Sequence, residues 1–257
     1  MKAIHLHGQR IGDGTQPLIC TPLVGRTPDA VLDELRVVLP KQPDVIEWRV
    51  DFFQAIHDTA SVLEVAGGIR KAAGATPVIF TCRSAKEGGE RIPLDAAGLV
   101  KLYVAVCASR RVDIIDYELS NPADELAQLR QASRANDVAM IMSYHNFQST
   151  PEGAAIVAKF ADAERLGADI GKVAVMPKSP EDVLTLLGAV WRAHEAGAIP
   201  LIGMSMGGFG SVSRIVGGVF GSALTFAVGK SSSAPGQIAI EDLRVALATV
   251  GRSVTGR

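Results

Sequence analysis

Eight short apolar runs, each followed by a segment of helical periodicity, constrain this chain more than any other feature of it. The runs fall at residues 17–24, 44–50, 77–82, 112–119, 138–144, 169–175, 199–204 and 218–226. Helical patterns follow at residues 29–39, 59–73, 95–110, 122–134, 151–166, 180–196, 211–216 and 240–250. Strands joined through helices pair in parallel, and a parallel sheet is covered on both faces, which is why its strands read as nearly unbroken apolar runs. Eight such pairs in 257 residues match a closed (β/α)8 barrel, a fold of about 250 residues. An open doubly wound sheet is the alternative, but the glycine-rich dinucleotide turn after its first strand is missing. The expectation is an α/β chain, a (β/α)8 TIM barrel forming one domain over residues 1–257. Residues 1–17 are expected to add an N-terminal hairpin with its tight turn at Gly12-Asp13-Gly14-Thr15.

Helix starts are signalled by Thr27-Pro28-Asp29, Asn121-Pro122, Thr150-Pro151-Glu152 and Ser179-Pro180-Glu181, each placing a capping side chain before a proline or an acid. Gly167 and Gly197 stand where glycines stop helices.

The totals remove several function classes. A formal net charge of -1 gives no electrostatic reason to bind nucleic acid or an anionic membrane. No apolar run is long enough to span a bilayer, and no signal peptide is evident at the start. Cys20, Cys82 and Cys107 are odd in number and lack metal-type spacing, which implies reduced structural thiols and a cytoplasmic protein. Cys82 adjoins Arg83, yet strand alternation points its thiol to the opposite face. His5, His7, His57 and His194 have no acidic or thiol partner at ligand spacing, so no metal is expected.

One run carries a charge. Lys172 lies inside Ile170-Gly171-Lys172-Val173-Ala174-Val175-Met176-Pro177, where an ammonium is costly to bury. A solvated lysine is neutral in only about one molecule in 2,500 at pH 7, and burial can lower its pKa by several units. A neutral lysine attacks carbonyls to form imines. The plain alternative is a lysine that snorkels from a strand end or pairs with a buried acid.

Active sites of parallel barrels lie at the C-terminal ends of the strands. There the sequence places Glu47-Trp48-Arg49-Val50-Asp51, Arg83 with Glu87-Gly88-Gly89 beyond it, Asp116-Tyr117-Glu118, Ser143-Tyr144-His145, Lys172, and Arg214 after Gly207-Gly208-Phe209-Gly210. Residues 229–237, with Ser231-Ser232-Ser233 and Gly236-Gln237, are composed like a mobile lid. Singly, each of these has a structural explanation. Together, ionisable groups recur at one end of successive strands. Arg49, Arg83 and Arg214 offer planar forks for a carboxylate or hydroxyl-rich ligand, and their charge would help keep Lys172 neutral. The Gly207-to-Gly210 turn is a weak phosphate-cradle signal.

These motifs, with Arg83-Ser84-Ala85-Lys86-Glu87-Gly88-Gly89, Met204-Ser205-Met206-Gly207, Phe220-Gly221-Ser222-Ala223 and Ser233-Ala234-Pro235-Gly236-Gln237, resemble type I 3-dehydroquinate dehydratases from about Leu18 to the last helix. The glycine-rich loop at 206–210 and the N-terminal hairpin depart mildly from that pattern. The resemblance implies a barrel enzyme of the shikimate pathway, usually a homodimer, with no metal or organic cofactor. Its small-molecule substrate would be 3-dehydroquinate, converted to 3-dehydroshikimate by cis elimination of water. It implies that Lys172 forms the imine, His145 is the general acid and base with a pKa near neutrality, and Glu87 orients it. Arg214 would take the substrate carboxylate, with Glu47, Arg49 and Arg83 contacting hydroxyls or ordering the pocket, and Ser233 and Gln237 closing from the lid. A class I aldolase and a catalytically silent carboxylate-binding barrel remain the alternatives at this point.

Overall fold

A computed structural model describes residues 3–12 and 16–256. Strands β1 (Ile4–Leu6) and β2 (Gln9–Ile11) pair antiparallel in a hairpin. Its turn is at His7-Gly8, where φ values of 50° and 82° supply the left-handed geometry a two-residue hairpin needs. The turn is thus earlier than expected, since Gly12 follows β2; residues 13–15 lie outside the described residues.

The main sheet is parallel throughout. Its strands run in chain order: β3 (Leu18–Leu23), β4 (Val45–Arg49), β5 (Val78–Thr81), β6 (Ile114–Glu118), β7 (Ala139–Asn146), β8 (Ile170–Val175) and β9 (Leu201–Ser205). On the other side of β3 lies β10 (Leu224–Val228), followed by a ninth short strand, β11 (Ile238–Ala239). The sheet curls until its ends meet. Leu201 bridges Ser222, the Ala223 amide donates to the Leu201 carbonyl at 2.7 Å, and the Leu18 amide donates to the Ala223 carbonyl at 3.0 Å. The TIM-barrel-like fold is therefore as expected, with a thin seam between β9 and β10.

Helices α1 (Pro28–Val38), α2 (Thr59–Ala73), α3 (Ala96–Ser109), α4 (Ala123–Ala135), α5 (Gly153–Arg165), α6 (Pro180–Ala196), α7 (Gly207–Val216) and α8 (Ile240–Thr255) surround the sheet. Two boundaries differ from the sequence reading. The last long strand starts at Leu224, because Gly217–Phe220 coils into a 3-10 turn before it. Helix α7 begins at Gly207, so the expected glycine-rich loop forms the first turn of a helix.

Caps differ as well. Thr27 caps α1 by accepting from the Ala30 amide, and Ser179 holds the cap position of α6 without a side-chain bond, but Pro122 and Glu152, not Asn121 and Thr150, occupy the cap positions of α4 and α5. The Thr150 hydroxyl instead donates to the Met176 carbonyl at 3.2 Å, tying the β7–α5 connection to the end of β8. Asp58 and Asp95 cap α2 and α3.

Alternation along the strands makes two cores. Val45, Ile79, Ile114, Ile141, Ile170 and Ile202 fill the barrel interior, and Ile11 of the hairpin plugs its N-terminal end. Outside, Phe53, Trp48, Phe80, Tyr103 and Tyr117 pack edge to face in a row, with ring centroids 5.2–5.7 Å apart. Burying each such side chain is worth about 1.5–3 kcal/mol relative to leaving it exposed. The rigid wall this builds sets the position of whatever projects inward above the isoleucine layer.

Candidate active site

Above that layer the inward positions turn polar. Glu47 of β4, Thr81 of β5, Asp116 of β6, Ser143 of β7 and Lys172 of β8 are buried one alternation above Val45, Ile79, Ile114, Ile141 and Ile170. A polar layer inside a barrel is tolerable only when its members satisfy one another.

They do so through charge pairing. Lys172 Nζ lies 2.8 Å from Asp116 Oδ2 and 3.4 Å from Glu47 Oε1, and 4.6 Å from the centroid of the Phe226 ring. Glu47 Oε1 also accepts from the Thr81 hydroxyl at 3.0 Å. Asp116 Oδ1 receives Arg83 Nη2 at 2.8 Å and the Ser143 hydroxyl at 2.6 Å. Burial alone would raise the Asp116 carboxyl, but Arg83 and Lys172 outweigh it and hold it far below the usual carboxylate range.

This corrects the expected surroundings of Lys172. Carboxylate oxygens, not guanidinium groups, are its nearest charges, because each arginine at the mouth but one is taken up by an acid of its own. Arg83 spans Asp116, Glu118 at 3.1 Å and the Ser143 hydroxyl at 2.9 Å. Arg49 forms a two-pronged pair with Asp51 at 2.8 and 2.7 Å, and its remaining nitrogen donates to the Ser233 carbonyl at 3.4 Å. Asp51 lies in a 3-10 turn beyond β4 and also accepts from the amides of Arg83 and Glu90, so it fastens Arg49 to the segment that carries Glu87.

Arg214 is the exception. It is 1% exposed, and no carboxylate of the described residues lies within ion-pair distance of it. It donates to the carbonyls of Phe226 at 3.3 Å and Pro235 at 3.1 Å and to the Met204 thioether at 3.7 Å, and its Nε has no partner. Burial lowers its pKa to about 10. A buried guanidinium with an unused donor is arranged to receive an anion.

The β5–α3 connection delivers the next group. Ser84 caps a short 3-10 turn, Ala85–Glu87, and Gly88 leaves it with φ 83°. Side chains are excluded there: a Cβ on Gly88 would overlap the Phe147 ring at 2.3 Å, and one on Gly89 the Arg83 carbonyl at 1.9 Å. The tight turn brings Glu87 Oε2 within 3.0 Å of both the amide and Nδ1 of His145. Burial and the charge of Glu118 raise Glu87 to about 7, against the pull of Arg83 and its hydrogen bonds. Burial, followed by the charges of Arg83 and Lys172, pushes His145 well below its ordinary value. The histidine expected to titrate near neutrality is held toward its uncharged form by these surroundings, its Nδ1 facing a carboxylate.

Lys172, His145, Glu87, Glu47, Arg49, Arg83, Arg214, Ser233 and Gln237 all line one pocket, with about 440 Å³ of empty space. The structure thus brings together the nine residues to which the family resemblance gives roles. Asp116, Glu118, Asp51 and Ser143 complete the network. Their motifs were visible, but nothing in them marked which arginine each would hold. Cys82 points outward into the aromatic wall, as alternation requires, and burial pushes its thiol far up.

The segment after β10 covers the mouth. The Pro235 carbonyl accepts from the Gly207 amide at 3.1 Å as well as from Arg214, and Gln237 Oε1 accepts from the Ser233 amide at 3.0 Å. The first amide of α7 is thereby occupied by chain, which is where a phosphate cradle would have needed it.

A covered cavity with an ion-paired lysine, a carboxylate-backed histidine and a spare cation is the equipment of a barrel enzyme that does carbonyl chemistry on a small acid. Comparison with known proteins narrows the class. The model of the type I 3-dehydroquinase family matches residues 19–253. The 3-dehydroquinate dehydratase of Albidiferax ferrireducens is 53% identical over 253 residues, covering 98% of this chain and 96% of that one. The crystal structure of the Geobacillus kaustophilus 3-dehydroquinate dehydratase superposes with a TM-score of 0.95 at 49% identity, covering 97% and 96% of the two chains. That of the Clostridium difficile type I enzyme, solved with covalently modified comenic acid, gives 0.94 at 36% identity, covering 98% and 99%. The chain belongs to the type I 3-dehydroquinase family, whose members are hydro-lyases.

Proposed function

We propose that this chain eliminates water from 3-dehydroquinate to give 3-dehydroshikimate through an imine on Lys172. The observation that carries the reading is the placement of Lys172 and His145 on adjacent strands, β8 and β7, both facing one covered pocket. The amine of Lys172 adds to the ketone and water leaves, forming an iminium that draws electrons from the neighbouring C–H bond. His145, neutral and held through Nδ1 by Glu87, takes that proton with Nε2. The resulting enamine expels the hydroxyl group, to which His145 returns the proton, so the elimination is cis. Hydrolysis of the conjugated iminium frees the product and the lysine.

Glu47 and Asp116 hold the Lys172 amine at 3.4 and 2.8 Å on the inner face of the pocket, where it meets the ketone. Arg214 binds the substrate carboxylate with its free edge, and Arg49 and Arg83 order the acids around the ring. Ser233 and Gln237 contact the substrate from residues 229–237, which act as a lid.

The working form is a homodimer in the cytoplasm, and the chain folds as one domain. Three free, buried cysteines fit a reducing compartment, and no described helix is long and apolar enough to cross a membrane. Leu184, Phe209 and Val212, exposed side by side near the start of α6 and α7, form the kind of apolar face a second copy covers.

The test is ultraviolet absorbance of the conjugated enone when purified protein meets 3-dehydroquinate. The reading expects a steady rise. Imine trapping on Lys172 without that rise would point to aldolase chemistry, and neither signal would leave a binding barrel.

A further inference from the structure

The His145–Glu87 pair faces the substrate pocket on one side only. On the other side Glu87 Oε1 accepts a hydrogen bond from the Ser120 hydroxyl at 2.9 Å. Ser120 lies just beyond β6, in the connection to α4, and lines a separate surface cleft with Ser84, Lys86, Glu118 and Asn121. Glu87 is therefore a partition between a covered cavity and an open one. Its two oxygens divide the work: Oε2 takes both His145 contacts, and Oε1 takes Ser120.

We propose that Ser120 is a positioning residue of the reaction, which acts through Glu87 to keep His145 in its proton-accepting tautomer. This rests on the proposed role of His145 as the base. The reasoning follows from which atom holds the proton. With Glu87 ionised, Nδ1–H of His145 donates to Oε2 and Nε2 presents a lone pair to the substrate. With Glu87 protonated, its O–H donates to Nδ1, the ring proton moves to Nε2, and the base is lost. A hydroxyl that donates to Oε1 favours the first arrangement, since a hydrogen bond to the charged form stabilises it.

The surroundings make this bond decisive. Glu118 on β6 opposes ionisation of Glu87; Arg83, at the end of β5, favours it from 3.9 Å. Lys172 on β8, Asp116 on β6 and Arg49 on β4 also act on the imidazole. Arg83 is already divided among Asp116, Glu118 and Ser143, so the hydroxyl of Ser120 is the remaining side-chain donor to Oε1 among the described residues. The opposing influences leave Glu87 at about 7, where a single hydrogen bond changes which form prevails in the working pH range.

The experiment compares Ser120→Thr with Ser120→Val, two side chains of one shape that differ in the hydroxyl. Valine also denies water the place of the lost donor. The threonine variant should follow the wild-type profile of kcat/KM against pH. The valine variant should show its acidic limb displaced upward by about half a unit or more, as expected for losing a hydrogen bond to a carboxylate. It should be several-fold slower below the limb and match wild type above it. The same displacement should appear in the free protein, in the pH dependence of the ring-nitrogen NMR shifts of His145. Coincident Thr and Val profiles, or a uniform loss at every pH, would overturn the role of Ser120. A wild-type protein without enone formation would overturn the dehydratase reading, while the NMR titrations of the two variants would still decide whether Ser120 governs the pair.

Discussion

Asp116 holds Lys172 at 2.8 Å through one oxygen and Arg83 at 2.8 Å through the other, so one buried carboxylate joins the lysine to the arginine that organises the rest of the mouth. Removing the charge of Asp116 leaves two buried cations short of a partner. Asp116→Asn should lower stability by about 3–5 kcal/mol, the usual result of breaking one side of a buried pair. Denaturant unfolding measures it, and a loss under 1 kcal/mol would mean that Arg83 and Lys172 find other partners.

The proposed hold of Arg214 on the substrate carboxylate should show in substrate affinity. Arg214→Met fills the space without the charge and should cost about 100-fold or more in kcat/KM, the scale of truncating a buried charged hydrogen-bond partner. Arg214→Lys keeps the charge but not the fork, and should recover only part of it. Stability should rise or stay level in the methionine variant, because a buried guanidinium without a counter-charge is removed.

The proposed lid, residues 229–237, is set by a close approach. Gly236 has φ 76°, and a Cβ there would come within 2.2 Å of the Gly207 carbonyl oxygen. Gly236→Ala should therefore keep the lid from seating, raising KM for substrate with little change in the unfolding midpoint. Steady-state kinetics beside thermal unfolding would show the split, and an unchanged KM would mean that residues 229–237 do not close over the ligand.

The raised Glu87 gives a signed pH dependence. Its carboxyl goes from the ordinary 4.5 in the unfolded chain to about 7 in the fold, so its favourable contribution to stability is present below about 4.5 and is lost as pH rises to about 7. Glu87→Gln cannot ionise, so its stability relative to wild type should improve between pH 5 and pH 8. Urea midpoints at those two pH values test this. A relative stability that stays flat would mean that the carboxyl titrates in its ordinary range.

How much of this was legible in the sequence depended on what each residue answers to. Lys172, His145 and Arg214 were legible because strand order alone fixes which end of a barrel they occupy, and because charges inside apolar runs stand out. The downward push on His145 was not, since it follows from burial beside Arg83 and Lys172, which are remote in sequence. The same holds for the carboxylates around Lys172, which strand alternation placed at the mouth without saying which arginine each would bind. Tyr103 is the clearest case. Its hydroxyl sits between β5 and β6 as they part, accepting from the Cys82 amide and donating to the Asp116 carbonyl, both at 2.8 Å, yet in sequence it is one more apolar residue of a helix. The glycines at 207, 208 and 210 misled because glycine permits a loop without requiring one; at Gly210 it serves close packing, since a Cβ there would come within 2.4 Å of the Ser205 backbone.

The proposed imine binds Lys172 covalently to the substrate during turnover. Borohydride added to protein turning over 3-dehydroquinate, followed by mass spectrometry of its peptides, tests that most directly. Inactivation and one reduced adduct are expected, on the peptide that holds Lys172, absent when substrate is omitted. Enone formation that continues undiminished through borohydride treatment with Lys172 unmodified, or an adduct on another lysine, would contradict it.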